Sequence, residues 1–179
     1  VSGSHYFDDD PSVASKRRQV PLHLPDLSID LIVDRGVFSA QQIDPGTRVL
    51  LVEAAQPGDA KTILDVGCGY GPIACTVASR APKATVWAVD VNERARDLCE
   101  ANAKKHNLNI EVRSPQDLPE DVRFDLIVSN PPIRIGKKNL HALLTLWLDR
   151  LKPDGYAELV VQKHLGWGRR KKNEAALWH

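Results

Sequence analysis

From residue 62 onward, short apolar runs of strand length alternate with longer stretches of helical periodicity, and nothing else in the chain constrains its fold as tightly. The runs at 62–66, 84–89, 110–113, 124–129 and 156–161 are rich in aliphatic and β-branched residues and read as buried strands. Residues 72–80, 92–106 and 139–151 read as helices. Pro72 opens the first at a position where its missing N–H costs nothing, and Asn92 caps the second. In the third, Leu140, Leu143, Leu144, Trp147, Leu148 and Leu151 share one face. Such alternation predicts an α/β fold: a doubly wound parallel sheet with helices on both faces and right-handed crossovers. The 179 residues suit one domain with a full core.

The amino-terminal part follows other rules. Residues 1–18, with Asp8-Asp9-Asp10-Pro11 and a basic run, read as an irregular, exposed segment. Over 20–33 apolar and polar residues alternate, with Pro21 and Pro25 interrupting, which predicts an edge strand or hairpin extension. Asp44-Pro45 is a helix start, with Asp as N-cap and Pro in the first turn; Pro57-Gly58 stops that helix. The main domain is expected over 19–165. Residues 166–179 read as an atypical basic tail, with no strand alternation and too few residues for a helix and two strands.

Composition excludes several classes. No apolar run approaches the length of a membrane span and no signal-peptide pattern opens the chain. Cys68, Cys75 and Cys99 are odd in number and lack paired metal-ligand spacing, so they read as reduced thiols of a cytoplasmic protein, with no metal expected. The net charge of +1 does not announce a nucleic-acid partner. Most of the short basic clusters read as solvated surface. Arg134, Lys137 and Lys138 are different, because they directly follow the Asn-Pro-Pro turn described below.

Asp65-Val-Gly67-Cys-Gly69-Tyr-Gly71 joins the first strand of the alternation to its helix. A dinucleotide fingerprint would place its third glycine at position 72, which is Pro. The spacing therefore favours S-adenosyl-L-methionine over a pyrophosphate-bearing cofactor. Asp65 can face the positive amino group of the methionine moiety, and Gly67, Gly69 and Gly71 let the backbone approach the ligand. Asp90 ends the next strand, where an acid binds ribose hydroxyls; a purely structural use beside the following N-cap competes with that role. Asp117, in the loop after the third strand, is a candidate for the adenine amino group.

Asn130-Pro131-Pro132 closes the run at 124–129. The Asn side chain offers an amide donor and a carbonyl acceptor, and the prolines fix the turn that holds it. A side-chain oxygen and a backbone carbonyl placed there can grip the –NH2 of a planar amine. The order of the two motifs points to methyl transfer onto a planar amino nitrogen.

These residues resemble the class I S-adenosylmethionine-dependent methyltransferases, and more closely the methyltransferase small domain family, which includes small-subunit ribosomal RNA guanine-N2 methyltransferases. Arg35-Gly-Val-Phe-Ser39, Asp44-Pro-Gly-Thr-Arg-Val-Leu-Leu51, Asp65 to Gly71 and Asn130-Pro-Pro-Ile-Arg-Ile-Gly-Lys137 carry the likeness, over about residues 18 to 165. The resemblance implies a Rossmann-like methyltransferase sheet. It assigns Asp65, Gly67, Gly69 and Gly71 to the methionine side, Asp90 to the ribose and Asp117 to the adenine. Asn130, Pro131 and Pro132 would hold the target amine, with Phe38, Ile133, Arg134, Lys137 and Lys138 on the substrate side. Two departures stand out: Ile133 occupies a position where the family often stacks an aromatic, and residues 163–179 do not read as the two closing strands the fold normally carries.

The function expected is therefore methylation of the exocyclic amine of guanine in ribosomal RNA. Other amino nitrogens (adenine N6 or a protein glutamine) meet the same chemistry. A module of this fold that binds RNA without catalysis is the non-enzymatic alternative, motivated by the tail and Ile133.

Overall fold

The computed structural model of the chain describes residues 15–35, 37, 42–131, 145–161, 166–171 and 177–178. A two-stranded antiparallel hairpin comes first, β1 (Arg18–His23) and β2 (Ser28–Val33). Leu22, Leu31 and Val33 on its inner face are fully buried while Pro21, His23 and Asp30 are exposed, as period-two alternation requires. Helix α1 (Pro45–Glu53) follows, capped by Asp44, whose carboxylate accepts from Thr47 N.

The main sheet has seven strands: β3 (Thr62–Val66), β4 (Thr85–Val89), β5 (Ile110–Arg113), β6 (Phe124–Ser129), β7 (Leu151–Val161), β8 (Gly166–Lys171) and β9 (Leu177–Trp178). Their order is β5-β4-β3-β6-β7-β8-β9, with the first five parallel and β8 and β9 antiparallel to their inner neighbours. Helix α2 (Pro72–Arg80) links β3 to β4, and α3 (Glu93–Lys105) links β4 to β5. Asn92 caps α3 by accepting from Ala95 N, as the sequence predicts.

Alternation along the strands separates two cores. Ile63, Val86, Ala88, Leu126 and Val128 face the three helices and the hairpin, whereas Leu64, Val66, Val89, Ile127 and Leu159 face Leu118, Phe124 and Trp147. Each fully buried Leu or Ile contributes about 1.5–3 kcal/mol. Trp147 belongs to a helical segment at 145–148; the rest of the helix expected over 139–151 lies outside the described residues, apart from its end.

Two expectations need correction. Residues 166–171 and 177–178 are strands β8 and β9, so the tail supplies the antiparallel edge it was expected to lack. The ladder runs from Tyr156↔Lys171 to Val161↔Gly166. Backbone pairing with a long neighbour defines β8, and Gly168 opposite Leu159 leaves no side-chain alternation to read. The last parallel strand also begins earlier than expected, and Leu151 lies in β7, paired with Phe124, instead of ending a helix. Pro153-Asp154-Gly155 still turns the chain, as an irregularity between the Phe124↔Leu151 and Leu126↔Tyr156 pairs. A Cβ at Gly155 would lie 2.7 Å from the Phe124 carbonyl oxygen, so only glycine permits that close approach.

Candidate active site

The strand order reverses at β3: β4 and β5 lie to one side, β6 and β7 to the other. In open α/β sheets a crevice forms outside the carboxyl ends of strands at this switch point. Asp65 near the end of β3, Asp90 after β4 and Asn130 after β6 therefore converge on one place. Ser129 closes its floor by donating from Oγ to the Val66 carbonyl at 2.7 Å, which ties the ends of β3 and β6.

The turn after β3 is built from left-handed glycines: φ is 75° at Gly67, 55° at Gly69 and 90° at Gly71. Gly67 N and Cys68 N both donate to the Val89 carbonyl, at 2.8 and 3.0 Å, folding the turn onto the end of β4. A Cβ at Gly67 or Gly69 would meet nothing within 4 Å. Open space stands over those two residues, as a ligand-cradling backbone requires. Gly71 differs, since a Cβ there would lie 2.8 Å from Cys99 Sγ. Its place is set by the packing of α2 on α3. Cys68 and Cys75 are buried beside it, with thiols pushed upward, Cys68 by its hydrogen bond with Cys99 and by burial, Cys75 by burial first. They are unreactive core residues.

Asp65 is fully buried. Its Oδ2 accepts from Ala74 N at 2.9 Å, in the first turn of α2, and its Oδ1 has no hydrogen-bond partner among the described residues. Burial pushes its carboxyl up to about 8, with Asp90 adding to the rise and the Ala74 N–H opposing it. An orphaned carboxylate oxygen is expensive unless something cationic or hydrogen-bonding meets it. Asp90 accepts from Gly69 N at 2.8 Å and from Asn92 N at 3.0 Å, and burial raises its carboxyl too. These bonds are the structural use of Asp90, which braces the entry to the next helix and the glycine turn. Asp117 is exposed in the loop after β5 and accepts from Ser114 Oγ at 2.6 Å.

Asn130 is half-buried, and its Nδ2 donates to Asp44 Oδ2 at 2.7 Å and to Thr47 Oγ1 at 2.8 Å. Among the described residues nothing hydrogen-bonds to its Oδ1. Pro131 beside it is buried. Phe38, Pro132, Ile133, Arg134, Lys137 and Lys138 lie outside the described residues. Sequence reasoning took Asp44 as a helix cap only and passed over Thr47. The contact with Asn130 spans 86 positions and leaves no local signal. Tyr70 was also passed over; it is buried, with no partner for its hydroxyl among the described residues, and burial first, then Asp44, push that hydroxyl up to about 12. Among those residues no group of three metal-ligating side chains occurs, and no helix is long and apolar enough to cross a membrane.

A seven-stranded sheet of this order, with acids and glycines at the switch point, is that of the Rossmann-like methyltransferases. The methyltransferase small domain model matches residues 28–173, and the chain belongs to that family. It is 38% identical over 167 residues to the uncharacterized protein YbxB of Bacillus subtilis, covering 90% of this chain and 83% of that one. It is 30% identical over 160 residues to ribosomal RNA large subunit methyltransferase G of Shewanella sp. (strain W3-18-1), covering 84% of this chain but 42% of the relative. Among solved structures it resembles the T. thermophilus 16S rRNA N2 methyltransferase RsmC in complex with AdoMet and guanosine, with a TM-score of 0.73 and 26% identity. That match covers 84% of this chain and 43% of the other. The chain thus spans less than half the length of both ribosomal RNA methyltransferases. The residues present fit the cofactor bound in that structure: the orphaned Asp65 oxygen suits its ammonium, and the open space over Gly67 and Gly69 suits its close approach.

Proposed function

We propose that this chain transfers a methyl group from S-adenosyl-L-methionine to the exocyclic amine of guanine in ribosomal RNA, in the cytoplasm. One observation carries the reading: both Nδ2 hydrogens of Asn130 are committed to Asp44 and Thr47, and its oxygen, beside the cofactor crevice, has no partner among the described residues.

Bound S-adenosyl-L-methionine supplies an electrophilic methyl group on a positively charged sulfur. Asp65 would hold its ammonium through Oδ1, Gly67 and Gly69 would line its methionine part, and Gly71 would shape that turn. Asp90 would take the ribose hydroxyls with its remaining lone pairs, and Asp117 the adenine amine.

An exocyclic guanine amine is a poor nucleophile because its lone pair is delocalised into the ring. Asn130 Oδ1 and the Pro131 backbone carbonyl would accept its two hydrogens and turn the lone pair toward the methyl group. Pro132 would stiffen the turn, while Phe38 and Ile133 would border the base. Positioning then supplies most of the acceleration; no strong general base is needed, because the surplus proton on the methylated nitrogen can leave to water after the transfer. The base must be unpaired or flipped out to reach the crevice, and Arg134, Lys137 and Lys138 would hold the neighbouring phosphates.

The relatives act on both ribosomal subunits by their names, so the test must survey all ribosomal RNA. Nucleosides from total RNA are compared by mass spectrometry before and after deletion of the gene. Loss of one N2-methylguanosine signal, restored by the intact gene, is expected. Loss of N6-methyladenosine alone, or of protein glutamine methylation with unchanged RNA, would refute the guanine assignment.

A further inference from the structure

The orientation of the Asn130 oxygen depends on what holds the other end of its amide. Asp44 Oδ2 accepts from Asn130 Nδ2 and, at 3.0 Å, from Thr47 N. A carboxylate can only accept, so the amide cannot turn end for end without setting its own oxygen against Asp44. Thr47 Oγ1 gives Nδ2 a second acceptor at 2.8 Å. The approach is tight: a Cβ at Gly46 would lie 3.0 Å from Asp44 Oδ2, 3.0 Å from Val160 Cγ1 and 3.6 Å from Asn130 Nδ2. Glycine at 46 lets the first turn of α1 lie directly against Asn130 and Val160.

We propose that Asp44 and Thr47 are positioning residues, which lock the Asn130 amide with its oxygen toward the substrate amine. The inference rests on Asn130 being the amine acceptor. It adds that the N-terminus of α1 sets catalytic geometry, and that the cap residue has a second task unrelated to helix stability.

Asp44→Ser keeps a good N-cap but is too short to reach Asn130, and Thr47→Val removes the hydroxyl while keeping the shape. The first readout needs no substrate. In isotope-labelled full-length protein, the Asn130 side-chain amide is identified by the NMR signal pair lost in Asn130→Ala. We expect that pair to be protected from solvent exchange in the wild type, and to lose protection in the Asp44→Ser/Thr47→Val double variant. The second readout is methyl transfer to unmodified ribosomal RNA transcribed in vitro. In the double variant kcat should fall by about tenfold or more, with KM for S-adenosyl-L-methionine within about twofold. The third is an exchange of roles. Asn130→Asp sets two carboxylates against each other and should lose activity. Asp44→Asn in that background restores an amide–carboxylate contact and should recover about tenfold.

Unchanged amide protection in the double variant, or loss of protection with full kcat, would overturn the proposal. So would failure of Asp44→Asn to rescue Asn130→Asp while both proteins still bind S-adenosyl-L-methionine. Full activity in Asn130→Ala would instead overturn the assignment of Asn130 itself; the amide-protection result would still report whether Asp44 and Thr47 hold it.

Discussion

Asp65→Asn should make the cofactor-free protein less sensitive to pH while weakening its hold on S-adenosyl-L-methionine. The carboxyl of Asp65 is fully buried, one oxygen has no partner among the described residues, and burial raises it from an ordinary 3.8 to about 8. A carboxyl raised on folding stabilises the native state fully only below its unfolded value, and that contribution is lost as pH rises toward the folded value. Between about pH 4 and about pH 8 the unfolded chain carries an ionised Asp65 and the folded chain a protonated one, so folding takes up a proton. Each pH unit in that window costs about 1.4 kcal/mol. Roughly 2.7 kcal/mol accumulates between about pH 5 and about pH 7. Asparagine does not titrate, and Asp90, raised in the same direction, is present in both proteins and largely cancels. Urea unfolding of both proteins without cofactor, at several pH values across the window, measures the difference. Wild-type stability should fall relative to Asp65→Asn by about 1–3 kcal/mol from about pH 5 to about pH 7. Parallel profiles would refute the argument that a buried, unpaired carboxyl stands at this position.

Four further outcomes follow from the same geometry. Binding of S-adenosyl-L-methionine near neutral pH should release up to about one proton, because its ammonium favours the ionised Asp65; calorimetry in buffers of different ionisation enthalpy reads this, and Asp65→Asn should abolish it. Asn130→Ala should lose methyl transfer by more than about tenfold while cofactor affinity stays within a few-fold, measured by kinetics and calorimetric titration side by side. Gly71→Ala combines a φ of 90° with a Cβ 2.8 Å from Cys99 Sγ, so it should cost about 2 kcal/mol or more in urea unfolding, whereas Gly67→Ala meets only the backbone strain. Replacing Arg134, Lys137 and Lys138 together by Ala should weaken RNA binding and flatten its dependence on salt, read by titration at several ionic strengths, with cofactor binding intact.

The elements with their own local signals were legible in the sequence. The helices α1, α2 and α3 begin at Asp44-Pro45, Pro72 and Asn92, where a cap or a first-turn proline fixes the start regardless of what packs nearby. The buried parallel strands β3 to β6 are short apolar runs bounded by polar turns and fall where expected, whereas β7 starts five residues early, at Leu151. The edge strands β8 and β9 were not legible, because the backbone pairing that defines them, β8 on β7 and β9 on β8, is a partner's property. Residues 166–171 carry two glycines and a basic run that local patterning reads as a tail. The same division holds in the site. Asp65, Asp90 and Asn130 stand at strand ends that the alternation itself locates. The bonds from Asn130 to Asp44 and Thr47 depend on α1 packing against β7 and β8, beside the end of β6, which no local pattern records. Gly71 was legible as part of a motif, but its need for glycine comes from Cys99 on a different helix.

The amino-terminal hairpin belongs to this same machinery through two polar clamps. Asn102 of α3 is fully buried; its Oδ1 accepts from Ile32 N at 2.6 Å, and its Nδ2 donates to the carbonyls of Ile32 and Tyr70 at 2.9 and 2.8 Å. One side chain therefore fastens β2, α3 and the glycine turn together. At the other end Arg80 reaches from the last turn of α2 to Asp26 in the hairpin loop, with two bonds of 2.8 Å, and to the Leu51 and Ala55 carbonyls at the end of α1. The ion pair with Asp26 lies partly in solvent and is worth little alone. The carbonyls need Arg80 more, because orphaned acceptors at a helix end are costly once water is excluded. Through these contacts the hairpin backs the helices whose first turns present Thr47 to Asn130 and Ala74 to Asp65. The extension thus supports, from behind, the two side chains on which the proposed chemistry depends.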